Sequence, residues 1–253
     1  MSSFYATIAR YYDSEHHDKD EDLPFYSELA EECGSPILIV GSGTGRLMIH
    51  LAQEGHTVHG IKIETAMLER ARRKRDALPQ LRDKLVFHQG DALKLSLDEK
   101  FQLVIIPYNT LMHFLTIEDQ KTLLRRIRNV LSPDGLLVID LPNAGEAFAS
   151  QDSEAVILER TFLERDTGHL VMQHSVSRLD RVEQLMYVTW IYDEITADRV
   201  VERTVVPVTI HYFFFNELRL LLEACGFEVE SVYGDFDRSP FEDGCPRMVV
   251  IAK

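Results

Sequence analysis

The chain has no apolar run long enough to span a membrane and no signal-peptide pattern at its first residues. Both absences lead us to expect a cytoplasmic protein with no membrane partner. Cysteine is scarce. Cys33, Cys225 and Cys245 are odd in number and lack metal-ligand spacing, so a reduced cytoplasmic interior is the simplest reading. Positive charge is short as well. The net charge of −14 argues against nucleic acid as a partner, because phosphate-binding proteins present a basic face. One basic run, Arg70, Arg72, Arg73, Lys74 and Arg75, suits a solvated helix face. His16, His17, Asp18 and Asp20 are adjacent rather than at helical spacing. They read as a hydrated loop, and no metal is expected.

What is there begins at Ile37–Arg46, ILIVGSGTGR. Ile37, Leu38, Ile39 and Val40 read as a strand buried on both faces. Gly41, Gly43 and Gly45 follow at alternate positions, and Leu47, Met48 and Leu51 then start a helical pattern. A buried strand, a glycine turn and a helix N-terminus make a nucleotide-handling unit. The spacing G-x-G-x-G, with no Lys-Ser/Thr behind it, fits neither a dinucleotide fingerprint nor a P-loop.

Around this unit strands and helices alternate. Tyr5, Ile8, Tyr11 and Tyr12 suit a short amphipathic helix, and a second helix runs from Leu23 to Cys33. Strands follow at His56–Ile63, Leu85–His88, Phe101–Ile106 and Leu136–Leu141. Thr65 and Asn216 are candidate helix caps, Thr116 and Asp119 form a capping-box pattern, and Ser132–Gly135 is a turn. This rhythm predicts a parallel sheet with helices on both faces. After Pro142 the period becomes two. Val156–Leu163, His169–Ser177, Gln184–Glu194 and Arg199–His211 read as antiparallel strands. A helix around Leu218, Leu221 and Leu222 follows, with final strands at Phe227–Tyr233 and Arg247–Ala252.

Taken in order, RYYD at Arg10–Asp13, GSGTGR, Gly60-Ile61, AMLERAR from Ala66, QGDA at Gln89–Ala92 and LSPDGLLVIDLPN from Leu131 resemble the class I S-adenosylmethionine-dependent methyltransferases. ACGF at Ala224 and the tail Tyr233–Phe241 also fit, so the resemblance runs nearly the whole length. It implies an α/β, Rossmann-like seven-stranded sheet of order 3-2-1-4-5-7-6 with strand 7 reversed. It also implies an antiparallel β insertion like the lid of small-molecule members. The organisation expected is a helical lid at 1–35, a cofactor-binding core at 36–145 and 213–253, and a substrate lid at 146–212. S-adenosyl-L-methionine would be the cofactor and S-adenosyl-L-homocysteine the product.

By the same resemblance Gly41, Gly43 and Gly45, with Arg46 behind them, would approach the methionyl and ribose parts. Asp91 and Ala92 would sit at the adenine, and Met67 would pack on it. Pro107 and Tyr108 would lie beside the sulfonium, and Tyr11 or Tyr12 would close over the carboxylate end. The chain departs from the family at three acids, replaced by Ile39, Lys62 and Gln102. Lys62 matters most, because an ammonium cannot accept the ribose hydroxyls that a carboxylate accepts. Glu64 can substitute only if it shares a face with Lys62.

Two readings follow. One is a methyltransferase acting on nitrogen or oxygen of a small-molecule acceptor. The other keeps the fold but has lost methyl transfer, serving as a cyclase, an isomerase or a ligand-binding protein. Acceptor-side candidates are Tyr108, Asn109, His113, Asn143, Trp190, His211 and Tyr212. His113 leads as general base, on the ground that a histidine titrates near neutrality. Trp190 and Tyr192 either stack on an aromatic acceptor or pack against the sheet. The exposed edge of the insertion allows a homodimer.

Overall fold

The computed structural model describes residues 2–145 and 152–253. Two helices lead, α1 (Ser2–Glu15) and α2 (Leu23–Cys33). Then come β1 (Ile37–Val40), α3 (Arg46–Gln53), β2 (Val58–Lys62), α4 (Thr65–Asp76), β3 (Leu85–Gln89), β4 (Phe101–Ile106), α5 (Ile117–Val130) and β5 (Leu131–Pro142). Four long strands follow: β6 (Ser153–Leu163), β7 (Leu170–Asp180), β8 (Leu185–Ile195) and β9 (Val201–His211). The chain closes with α6 (Phe215–Ala224), β10 (Val229–Tyr233) and β11 (Arg247–Ala252).

The main sheet has the order β10-β11-β5-β4-β1-β2-β3. Only β11 runs against its neighbours, β5 on one side and β10 on the other. That is the 3-2-1-4-5-7-6 arrangement. The strand order reverses between β1 and β4, so the crevice for a ligand opens at their carboxyl ends. The four residues of β1 are all buried because the strand is covered on both faces. Leu38 and Val40 pack with α5 and α6 residues such as Leu124, Ile127, Leu218 and Leu222. Ile37 and Ile39 pack with Phe25, Leu29, Met48 and Leu51 of α2 and α3.

The insertion forms a second sheet, β6-β7-β8-β9, antiparallel throughout. Its alternating pattern puts Val171, Gln173, Ser175 and Ser177 on a buried face. Helix α1 lies on that face: Phe4, Ile8, Tyr11, Phe162, Val171, Tyr192 and Val206 form one apolar cluster.

Three local expectations are corrected. Thr65 is the first residue of α4, and the cap position belongs to Glu64 in extended backbone. Asn216 lies inside α6, whose cap position is Phe214, with the Glu217 side chain accepting from Phe214 N. Ser132–Gly135 falls within β5. Leu131 pairs with Phe101 and Leu136 with Leu103, so the four residues bulge from the ladder instead of ending it. Thr116 does cap α5, its Oγ1 accepting from Asp119 N at 3.1 Å. No helix among the described residues is long and apolar enough to cross a membrane. Among them no group of histidine, cysteine and acidic residues is placed to hold a metal.

Candidate active site

The turn after β1 is held from several sides. Gly41 has φ +80°, and a Cβ there would lie 2.5 Å from Thr110 Cγ2 and Oγ1. Left-handed backbone and crowding by Thr110 each require glycine. Gly43 lies under the Tyr12 ring. Gly45 turns elsewhere: a Cβ on it would meet Ala71 Cβ at 3.1 Å, so its small size serves packing of α4 against the turn. Arg46 donates to both oxygens of the buried Asp22, at 2.8 and 2.5 Å, and to Lys19 O at 3.0 Å. It thus ties the α1–α2 loop to the start of α3. Asp13, from the RYYD stretch, accepts from Thr44 Oγ1 at 2.5 Å and Lys74 Nζ at 2.7 Å. A cavity of about 300 Å³ opens here, lined by Gly41, Gly43, Arg46, Pro107, Tyr12 and Tyr108 among others.

A second crevice, of about 170 Å³, continues along the ends of β1 and β2. Gly41, Gly43, Lys62, Glu64, Asp91 and Ala92 all face it. Strand β2 stops at Lys62, yet Glu64 shares the crevice because the cap position of α4 is extended. Lys62 Nζ stands 3.5 Å from Glu64 Oε2, and both side chains are buried. Neither Glu64 oxygen has a hydrogen-bond partner. Burial pulls the Lys62 amine below its ordinary value, and Glu64 opposes that shift. Asp91 accepts from Leu93 N at 3.0 Å and caps a short 3₁₀ turn. Met67 is fully buried among α1 and lid residues, away from this crevice.

Tyr5 closes the crevice on the α1 side. Lys62 Nζ lies 3.7 Å from its ring centroid, a cation–π contact. Its hydroxyl and His113 Nε2 are hydrogen-bonded at 2.6 Å. Burial, then the charge of Lys62, push the His113 pKa down to about 4. The expectation of a histidine titrating near neutrality is therefore corrected. His113 is neutral at physiological pH, able to accept a proton but weakly basic. Its Nδ1 has no partner.

Tyr108 and Asn109, directly after β4, both adopt left-handed backbone, φ 45° and 62°. Such strain persists only where the surroundings enforce it. Asp140 does so from β5, accepting from Tyr108 N at 3.0 Å while its carbonyl takes Asn109 N at 3.1 Å. Arg247 on β11 completes the clamp, donating to Asp140 and, at 3.0 Å, to Asn109 Oδ1. His16 Nδ1 donates to Tyr12 O at 2.9 Å, so its bare Nε2 accepts from the Tyr108 hydroxyl at 3.0 Å. Burial raises Tyr108 to about 12, which keeps that hydroxyl a donor.

A third cavity, of about 330 Å³, lies between α1 and the inner face of the second sheet. Tyr5, Tyr12, Tyr108 and His113 line both this cavity and the crevice, forming the partition between them. Asn109 and Trp190 reach the cavity. The ring of Tyr192 is already stacked on Tyr11 at 4.8 Å, so it packs. Asn143, His211 and Tyr212 face none of these spaces. Asn143 donates to Cys245 O at 3.1 Å, His211 packs on Phe213 at 4.6 Å, and Tyr212 is core. Sequence reasoning missed Tyr5, Glu15 and Gln173. Tyr5 and Glu15 share the face of α1 that carries Tyr12, at helical spacing, and that periodicity was the available signal.

A family model described as a methyltransferase domain matches residues 37–135. The putative methyltransferase YqeM of Bacillus subtilis is 26% identical over 212 residues, 79% of this chain and 76% of that protein. The dTDP-3-amino-3,6-dideoxy-alpha-D-glucopyranose N,N-dimethyltransferase of Streptomyces fradiae is 30% identical over 55% of each chain. The solved CcbJ methyltransferase of Streptomyces caelestis superposes with a TM-score of 0.77 over 95% of both chains, at 23% identity. Sheet order, glycine turn and these matches agree: the chain has the fold of the class I methyltransferases, and its residues 37–135 match a methyltransferase domain.

Proposed function

We propose that the protein methylates nitrogen or oxygen of a small molecule, with the nucleoside of S-adenosylmethionine in the crevice of Lys62, Glu64 and Asp91 and the acceptor in the cavity beyond the tyrosine partition. The observation that carries this reading is Glu64. Glu64 is a buried carboxylate whose ion pair with Lys62 is long, at 3.5 Å, and neither oxygen accepts a hydrogen bond, so it keeps acceptor capacity for the two hydroxyls that a ribose brings. The residues present thus fit the cofactor. Glu64 takes the ribose, Asp91 and Ala92 the adenine, and Gly41, Gly43, Arg46, Pro107 and Tyr12 surround the methionyl end. When bound, the cofactor supplies a methyl group that passes in line to the acceptor atom.

Lys62 no longer favours a protein that has lost methyl transfer. Its charge is met by Glu64, so it does not stand alone against a sulfonium. The relative from Streptomyces fradiae, which acts on a nucleotide-linked sugar, supports a small-molecule acceptor. Of the expected lids 1–35 and 146–212, the described residues 2–35 and 152–212 serve as two lids on the core formed by 36–145 and 213–253; residues 1 and 146–151 lie outside the described residues. The cytoplasm suits three free cysteines. The edge strand β6, with Val156 and Leu158 exposed, suits pairing with a second copy.

Calorimetric titration tests the reading. Saturable binding of S-adenosylmethionine at micromolar concentration is expected, and no heat at millimolar cofactor overturns it. His113, at the partition, is the group placed to receive a proton from the acceptor. His113→Gln is expected to lower kcat about tenfold to a hundredfold. Because His113 is neutral down to about pH 4, its protonation sets no limb of the kcat–pH profile around neutrality. A wild-type limb near neutral pH that vanishes in His113→Gln would refute this assignment.

A further inference from the structure

The cavity between α1 and the second sheet has one apolar wall and one polar wall. The apolar wall comes from β8 and β9: Met186, Val188, Trp190, Val208 and Ile210. The polar wall joins Glu15 of α1 to Gln173, Ser175 and Tyr192, with Glu159 at the mouth.

Donors on this polar wall are spent within it. The Gln173 amide gives one N–H to Glu15 Oε1 at 2.8 Å and the other to the Tyr192 hydroxyl oxygen at 3.1 Å. The Tyr192 hydroxyl donates to Glu15 Oε2 at 3.2 Å. The Ser175 hydroxyl donates to Glu159. What remains are acceptors. Gln173 is 1% exposed, and its Oε1 has no partner. The orientation of that amide is fixed, because turning it would set its oxygen against the Glu15 carboxylate. Each carboxylate oxygen also keeps a second lone pair. Arg160 is the cation nearby, but it is exposed at the mouth and donates to Glu15 O at 2.8 Å. A ligand filling this space must therefore bring hydrogen-bond donors, and two carboxylates reward donors that carry positive charge.

Resting on the reading of this cavity as the acceptor site, we propose that it recognises an amphipathic cation: a protonated amine on Glu15, Gln173 and Glu159, with an apolar body against Trp190 and the β8–β9 wall. An anionic acceptor is disfavoured here, because it would meet two carboxylates and an unpaired carbonyl oxygen, and the free donors of Arg160 lie at the exposed mouth. A neutral alcohol of the same shape keeps the apolar contacts but forfeits the charge-assisted bonds.

The test compares cyclohexylamine, cyclohexanol and cyclohexanecarboxylate, titrated by calorimetry into the full chain saturated with S-adenosylhomocysteine. Saturation with that product is measured first, so failure of the cofactor reading shows separately as absent product binding. The amine is expected to bind at least about tenfold more tightly than the alcohol, and the carboxylate not at all. Glu15→Gln is expected to remove that preference while leaving the affinity for S-adenosylhomocysteine unchanged. Glu159→Gln, at the exposed mouth, should weaken the amine in the same direction and serves if the α1 variant does not fold. Equal binding of amine and alcohol, binding of the carboxylate, or no saturable response to millimolar amine each overturns the proposal.

Discussion

Glu64→Ala is expected to weaken binding of S-adenosylmethionine about 100-fold, measured by calorimetry against the wild-type chain. The magnitude follows from what the carboxylate can accept. A cis-diol brings two hydroxyl donors, and Glu64 holds two buried oxygens that accept no hydrogen bond, with Lys62 Nζ 3.5 Å from one of them. A hydrogen bond to a charged group contributes about 1.5–3 kcal/mol, so a pair lost together is worth about 3 kcal/mol, or roughly two decades in affinity. A second effect runs the other way. Without Glu64 the Lys62 ammonium is buried against the Tyr5 ring alone, and burial already lowers its pKa. It answers by losing its proton more readily, which limits the damage to the fold. The ribose contribution can be isolated with a 2′-deoxy analogue of the cofactor. The wild-type chain should lose about tenfold on that change and Glu64→Ala almost nothing, which is the signature of a coupled pair. If the variant binds the cofactor as tightly as wild type, the ribose is held elsewhere and Glu64 has another purpose.

The sequence made the sheet readable because each βα unit carries its own local signal. Ile37–Val40, Phe101–Ile106 and Leu136–Leu141 are apolar runs that only a strand covered on both faces explains. The insertion was readable for the opposite reason, a strict period of two from Val171 to Ser177. The nucleoside crevice was half legible. Glu64 was visible as a candidate, but whether it reaches the face of Lys62 depends on backbone beyond the end of β2, and no periodicity reports that. Gly45 looked like its two neighbours, although the atom that demands its small size, Ala71 Cβ, belongs to another helix. His113 was found by its place after β4. Its lowered pKa was not, because the causes are burial and Lys62, 51 residues away in sequence (113 − 62). The same holds for the polar wall at Gln173, where a residue of α1 meets strands β7 and β8 across long loops. Pairings of that kind are made by tertiary packing, and residue types alone leave them undetermined.

Arg247→Met should be the most destabilising of the substitutions considered, by about 3–5 kcal/mol, with a large fall in Tm and in kcat. Asp140 is fully buried, and Arg247 is the cation that meets it. Removing one partner of a buried pair leaves the other charge without compensation, which costs more than the pair gains when intact. The geometry at the end of β4 suffers too. Tyr108 and Asn109 hold left-handed backbone against their preference, and the Asp140 carboxylate and Arg247 are what enforce it. Once released, the Tyr108 ring leaves the partition that separates crevice from cavity, so activity falls beyond the loss of folded protein. The dependence on pH separates this cause from simple loss of packing. In the wild-type chain burial raises the Asp140 pKa and Arg247 pulls it back down. In the variant the largest lowering influence is gone, and only the Tyr108 N–H and the Lys19 charge still oppose burial. A carboxyl whose folded pKa exceeds its unfolded value keeps its proton in the fold after the unfolded chain has lost it. Its stability contribution is therefore present at low pH and is lost as pH rises through the folded pKa. Arg247→Met should then regain stability relative to wild type as pH is lowered from neutrality toward the ordinary carboxyl range, whereas a packing defect would leave the difference constant. Asp140→Asn placed on Arg247→Met makes the same point without titration. It removes the charge that the first substitution strands, and it should recover part of the lost Tm if an uncompensated carboxylate is the cause.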